Sequence, residues 1–282
     1  MDFGDIISNS FKYPFKDLKH LGFVCILFVL LLILPVGIFI KNPNAIAIGI
    51  ICLLIFILIT PGYKILVIKS GINQSSDIPP IKIGRSIINT LKLIVLNFCY
   101  ITIPSTIVFI IMLFSTGLLD YPIIIFENIL NLNLTYVFEL ISGFINAIWI
   151  TLLVTSIAML IFSLLSYIAN ARLANSNSLI NALKIHRVIL DIKEIGFFKF
   201  IGWYLIMGIL LGIINMIASF VLFVPYVGFI IYLCIVIPVI YLIYNYSLGL
   251  LYSDFADNEN DADDDLEKFE RELEYLKYGL IH

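Results

Sequence analysis

Three asparagines lie inside long apolar stretches of this 282-residue chain, and their type and position could support solute binding. Amide side chains at membrane depth can hold the polar groups of a neutral solute where they line a cavity beside proline-interrupted helices. The same amides can instead hydrogen-bond a neighbouring helix, which would make them purely structural. We therefore predict Asn97, Asn146 and Asn215 as candidate cavity-lining residues.

Catalytic and metal-binding motifs are missing from the sequence. It contains no H-E-x-x-H, no Cys and His at metal-ligand spacing, no G-x-S-x-G and no G-x-x-x-x-G-K-[ST]. The interiors of the apolar stretches also lack the acidic, basic or His side chains that usually mark ion paths and proton relays. We expect no enzymatic activity, no bound metal and no cofactor.

The composition places the chain in a membrane. Hydrophobic residues make up 61% of it and charged residues 13%, whereas soluble domains are about half apolar and a quarter charged. This much apolar surface must be hidden, which excludes disorder, and four cysteines are too few for a disulfide scaffold of this length. We therefore expect the chain to be embedded in a lipid bilayer.

Six apolar stretches are long enough to cross a bilayer, which takes about 20 residues. They predict an all-α, polytopic helical membrane bundle with an N-terminal amphipathic segment (residues 1–20), a membrane domain (21–252) and an acidic tail (253–282). The predicted spans are residues 21–40, 45–68, 93–114, 140–168, 200–223 and 226–251.

The positive charges predict the orientation of these spans, because cytoplasmic loops retain Lys and Arg during insertion. Of the seventeen Lys and Arg residues, only Lys41 falls on the opposite side from the others. We therefore expect a multi-pass protein of the cell membrane with both termini in the cytoplasm.

Amphipathic segments flank the spans and predict helices that lie in the headgroup plane. Phe3, Ile6 and Phe11 recur at helical spacing before the first span, and a second such helix is predicted over residues 178–195. In the second helix, Asp191 belongs to the polar face and Ile189 to the opposite face. A third amphipathic helix is expected in the outer loop around Phe126.

The C-terminal tail carries eleven acidic and three basic residues, a net charge of −8. Its apolar residues alternate at spacings of three and four, which predicts a cytoplasmic amphipathic helix. This helix would dock a cytoplasmic protein partner or a second copy of the chain, or it would fold back on its own bundle. The candidate docking residues are Leu266, Phe269, Leu273, Leu276 and Leu280.

Several short motifs resemble a known family in their order and spacing. They are Tyr13-Pro14-Phe15-Lys16-Asp17, Pro61-Gly62-Tyr63, Ile78-Pro79, the stretch from Lys92 through Tyr100 to Pro104, and Ala182-Leu183 to Gly196. Over about residues 12–250 the chain resembles the archaeal and bacterial multi-pass membrane proteins of domain of unknown function 4013, although Asn89 stands where that family suggests glycine. The resemblance implies an uncharacterised integral membrane protein and supplies no catalytic residue.

Two functions remain compatible with the sequence. The absence of charges inside the spans, together with the tail, favours a non-catalytic membrane scaffold or accessory protein. The alternative is a transporter or permease for a neutral or lipophilic solute that uses the three asparagines. We expect no nucleic-acid partner.

Overall fold

The computed structural model describes residues 2–131 and 134–253, without the side chains of residues 134 and 135. Every regular element within these ranges is helical, and none is a strand, which confirms the all-α class. The predicted docking residues Leu266, Phe269, Leu273, Leu276 and Leu280 lie outside the described residues.

The helices follow one another with short connections, and three of them are continued by brief segments of different winding. Two of these segments are π-helical, Phe98–Thr102 and Tyr232–Val236, and one is 3₁₀, Phe220–Phe223. The α-helices are α1 Phe3–Lys16, α2 Leu18–Phe39, α3 Pro43–Ile72, α4 Ile83–Asn97, α5 Ile103–Ser115, α6 Tyr121–Leu130, α7 Leu134–Ser176, α8 Leu179–Leu183, α9 Ile185–Ile195, α10 Phe197–Ser219, α11 Val227–Ile231 and α12, residues 237–253.

Six helical stretches in the described residues are long and apolar enough to cross a membrane, as a polytopic bundle requires. The third and sixth each combine two α-helices around a π-helical segment. The six are Leu18–Phe39, Pro43–Ile72, Ile83–Ser115, Tyr136–Ser176, Phe197–Phe223 and Val227–Ser253. The chain is therefore a multi-pass membrane protein.

The chain forms two compact units. The first, here called unit 1, comprises Met1–Leu93 and Asn170–His282, and the second, unit 2, comprises Ile94–Ala169. In unit 2, the Thr116 hydroxyl lies 3.3 Å from the Thr151 hydroxyl, and Tyr121 packs on Phe144.

Local signals explain where the helices of unit 1 begin. The Asp2 carboxylate accepts from the backbone N–H of Phe3, and the Asp17 carboxylate accepts from that of His20. The bond from His20 also lowers the pKa of Asp17. Asn42 caps α3 in the same way, ahead of a proline at the first helical position.

The packed core of unit 1 lies at one end of its spans. We call this end the basic end; it comprises α1, the loop of residues 73–82, α8, α9 and the adjoining turns of α3, α7 and α12. Residues 65–68 and 170–174 are almost entirely buried there, whereas Phe39, the last residue of α2, and Tyr226, just before α11, are 71% and 73% exposed. Exposed apolar side chains suit a surface that faces lipid rather than water.

The helix predicted over residues 178–195 is interrupted, because α8 and α9 are separate helices. The backbone of Lys184 leaves the helical region, with ψ of 87°. The carbonyl of Asn181, which a continuous helix would pair with the N–H of Ile185, accepts instead from Nε of Arg172 at 3.2 Å. The side chain of Arg172, from α7, thus bonds the carbonyl group that a continuous helix from α8 to α9 would use.

Candidate functional site

Three tyrosines hold the loop of residues 73–82 against the helices of unit 1. Tyr63 donates to the carbonyl of Pro79 at 2.9 Å, and Tyr246 donates to the carbonyl of Ser75 at 3.0 Å. Tyr13 donates to the carbonyl of Asp77 at 3.3 Å and stacks on Tyr246 with ring centroids 3.8 Å apart. Burial raises the pKa of Tyr13, so this hydroxyl acts as a neutral hydrogen-bond donor. The loop is therefore a fixed part of the basic end.

A threonine of α4 is inserted into the backbone hydrogen bonding of α3. The hydroxyl of Thr90 accepts from the N–H of Gly62 at 2.8 Å and donates to the carbonyl of Leu58 at 2.7 Å. In a regular helix these two backbone groups would bond each other. Pro61 lies between them and weakens the helix at this turn, and a side chain inserted here is a known cause of kinks. The hydroxyl therefore joins α4 to the break in α3.

Replacing Thr90 by Val should lower the free energy of unfolding by about 2 kcal/mol, because two buried backbone groups would lose their partner. Thr90→Ser keeps the hydroxyl and serves as the matched control. Equilibrium unfolding of both variants in detergent micelles provides the measurement. A Val variant as stable as the wild type would mean that Gly62 and Leu58 bond each other directly, and the inserted hydroxyl would then carry no stability.

A buried ion pair fixes α9 to two spans. One guanidinium nitrogen of Arg172, in α7, lies 2.8 Å from each carboxylate oxygen of Asp191, and the hydroxyl of Tyr252 in α12 donates to Asp191 at 3.0 Å. Asp191 is 1% exposed and Arg172 6%. Burial raises the pKa of Asp191, while its bonds from Arg172 and Tyr252 act in the opposite direction.

This burial corrects the sequence interpretation of α9, which assigned Asp191 to the polar face of a helix in the headgroup plane. The buried residues of α9 are Val188 and Asp191, while Ile185 and Ile189 are 53% and 51% exposed. The helical spacing itself was informative, but the partner that allows the acid to be buried is nineteen residues away. An arginine and an acid at the two ends of a short connection were the signal available in the sequence.

Two cavities lie at the basic end, and they share Pro79 and Pro80 as a wall. The polar cavity has a volume of about 300 Å³, and Lys69, Lys82 and Arg85 line it together with Asp77. The apolar cavity has a volume of about 480 Å³. Its lining includes His20, Phe23, Ile26, Leu27, Leu30, Ile55, Ile59 and Ile83.

The structure places the three predicted asparagines in separate settings. Asn97 accepts from the hydroxyl of Ser166 at 2.8 Å within unit 2, and Asn215 accepts from the hydroxyl of Tyr232 at 2.7 Å within unit 1. Asn146 is exposed in unit 2. The two cavities at the basic end have other linings. A cavity-lining role for the asparagines stays a prediction.

Comparison with known proteins identifies a family to which the chain is similar. The family described as "Protein of unknown function (DUF4013)" matches residues 45–224, which is more than half of the chain and includes α3 through α10. No curated protein and no solved structure matches the chain. The matched segment contains the Thr90 insertion and the Arg172–Asp191 pair. This multi-pass membrane protein therefore belongs to the DUF4013 family.

Proposed function

We propose that this protein is a non-catalytic scaffold or accessory protein of the cell membrane, with both termini in the cytoplasm. The observation that carries the proposal is the buried pair of Arg172 and Asp191, which Tyr252 completes. These charged groups bond each other and fix α9 to α7 and α12. Charges satisfied in this way give rigidity, and a pair that is bonded like this suits a structural role rather than a reactive one.

The start of the acidic tail is fixed to this rigid end. Ser253 is fully buried, its hydroxyl donates to the carbonyl of Leu250 at 2.8 Å, and Gln74 donates to it at 3.5 Å. Residues 253–282 carry a net charge of −8, and the candidate docking residues Leu266 to Leu280 belong to them. A tail that leaves from a fixed point suits presentation of a docking helix, which would attract a partner with a basic and apolar surface.

Truncation after Ser253 tests this function. We expect the full-length protein, purified from native membranes in mild detergent, to retain one protein partner at constant stoichiometry, and the truncated protein to lose it. The same loss is expected when Leu266, Leu273 and Leu280 are replaced by Ser, since the charge is unchanged and only the apolar seam is removed. Replacing Asn258 and Asn260 by Ser is the matched control.

Reconstitution makes the result decisive. The partner, purified separately, should bind the full-length protein saturably. It should bind the variant with Leu266, Leu273 and Leu280 replaced by Ser at least about tenfold more weakly, a difference of about 1.4 kcal/mol in binding free energy. Molar mass by light scattering detects the case in which the partner is a second copy of the chain. If full-length and truncated proteins are both monomeric and free of partners, the scaffold proposal is wrong.

One observation favours the alternative, a transporter for a neutral or lipophilic solute. The π-helical segment Phe98–Thr102 directly follows Asn97, and Tyr232, the partner of Asn215, begins the other π-helical segment. Such segments often occur at functional sites. Uptake of neutral solutes into proteoliposomes, lost in Asn97→Leu and Asn215→Leu, would support transport. Uptake equal to that of protein-free vesicles would count against it.

A further inference from the structure

The polar and apolar cavities follow one another along a single face of α3. Ile55 and Ile59 line the apolar cavity, Leu66 and Lys69 line the polar cavity, and Tyr63 lies between them. These spacings of three and four place the residues on the same side of a helix. Tyr63 holds the carbonyl of Pro79 at this point, so the loop crosses the face and separates the cavities. The polar cavity is the one nearer the C-terminal end of α3.

The polar cavity is suited to an anion. Lys69, Lys82 and Arg85 bring three positive charges to its lining, and Asp77 brings one negative charge. Among the residues that the structure describes, none offers these three basic side chains a hydrogen bond or an ion pair. The Asp77 carboxylate accepts from the hydroxyl of Ser76 at 3.3 Å. A phosphate group would therefore meet an excess of positive charge that the described residues leave unneutralised.

The apolar cavity is suited to a hydrocarbon chain. Along α2 its lining extends from His20 to Leu30, ten helical steps of 1.5 Å that span about 15 Å of helix axis. This is about half of the 30 Å hydrocarbon core of a bilayer, and therefore about the depth of one leaflet. At the end nearer the polar cavity, the ring of His20 is bonded to Asp17 at 2.5 Å.

We propose that unit 1 binds one anionic membrane phospholipid at these two cavities. Its phosphate headgroup lies against Lys69, Lys82 and Arg85, and one hydrocarbon chain lies in the apolar cavity on the other side of Pro79. The charge excess at one end and the leaflet-deep apolar groove next to it match the two parts of such a lipid, in the order in which a leaflet presents them. This site is independent of the tail and of the proposed scaffold function.

Lipid titration followed by native mass spectrometry tests the site, with the full-length protein in detergent. We expect one molecule of phosphatidylglycerol to bind about tenfold or more tightly than phosphatidylcholine of the same chains. Replacing Lys69, Lys82 and Arg85 together by Gln should remove this preference. The matched control replaces Lys12, Arg187 and Lys193 in the same way, since these basic residues are exposed and lie outside both cavities. This control should still bind phosphatidylglycerol more tightly than phosphatidylcholine.

A second pair of variants tests the groove. Ile55→Trp fills the apolar cavity and should abolish the tightly bound lipid, whereas Ile57→Trp, at an exposed position outside the lining, should not. Melting temperatures close to that of the wild type establish that each variant is folded. Equal binding of both lipids, or equal loss in the test and control variants, would overturn the proposal.

Two further experiments distinguish a bound phospholipid from other occupants of the cavities. Inorganic phosphate that competes fully with phosphatidylglycerol, while Ile55→Trp has no effect, would identify a free-anion site and overturn the lipid assignment. Binding of phosphatidylglycerol only after truncation at Ser253 would show that the acidic tail of the chain occupies the polar cavity, and that too would overturn it.

Discussion

Replacing Asp191 by Leu is expected to lower the free energy of unfolding by about 3–5 kcal/mol, the usual cost of leaving one partner of a buried ion pair uncompensated. The side chains of Arg172 and Asp191 are 7% and 2% exposed, so water cannot take over the role of the lost partner. Tyr252 would also lose its acceptor. Equilibrium unfolding in mixed detergent micelles measures the effect.

Two controls distinguish this charge effect from general damage to α9. Glu194→Leu changes an exposed acid one turn away and should shift stability by less than about 0.5 kcal/mol. The double variant Arg172→Met with Asp191→Leu should recover most of the loss, because apolar groups of similar volume often replace a buried pair without cost. A single Asp191→Leu variant within about 1 kcal/mol of the wild type would contradict a structural role for the pair.

Replacing Gly62 by Ala is expected to cost about 3 kcal/mol or more, which is at the upper end of the range for overpacked sites. A Cβ atom at this position would collide with the carbonyl group of Ser86 and would lie 2.7 Å from the backbone nitrogen of Thr90. Backbone atoms cannot move aside as the end of a side chain can, so α3 and α4 would have to separate. The Thr90 hydroxyl would then be drawn away from the break in α3.

Gly208→Ala is the matched control, because a Cβ added at this position of α10 would have no atom of another described helix within 4 Å. It should be neutral or slightly stabilising, since Ala favours a helix by up to about 1 kcal/mol relative to Gly. Unfolding of the two variants side by side measures the difference. Equal stabilities would mean that the close approach of α3 and α4 contributes nothing to the fold.

Much of the architecture could be predicted from the sequence, because a span is a local property. Six stretches of about 20 apolar residues suffice to predict six crossing helices, since lipid requires each span to satisfy its own backbone hydrogen bonds. Residues 2–131 and 134–253 contain six such helical stretches, and the family of the chain is the one that the motifs suggested. The amphipathic spacing of Phe3 and Ile6 likewise predicted α1, in which Ile6 is fully buried.

The polar contacts of the basic end could not be predicted, because each joins residues far apart in the chain. The periodicity of α9 placed Asp191 on a polar face. Burying its carboxylate costs free energy, and the hydrogen bonds from Arg172 and Tyr252, which lie in two other helices, offset that cost. The same holds for Thr90, whose partners in α3 lie 28 and 32 residues away.

The sequence by itself thus determined that this is a multi-pass membrane protein, with six spans in the part of the chain that the structure describes, since apolar length acts within one segment. Only the tertiary structure decided where its polar groups meet. The cavity lined by Lys69, Lys82 and Arg85 has Pro79 in its wall, and Tyr63 of α3 bonds the carbonyl of that proline. A hydrogen bond between distant residues depends on the packing of whole helices, and local composition does not encode it.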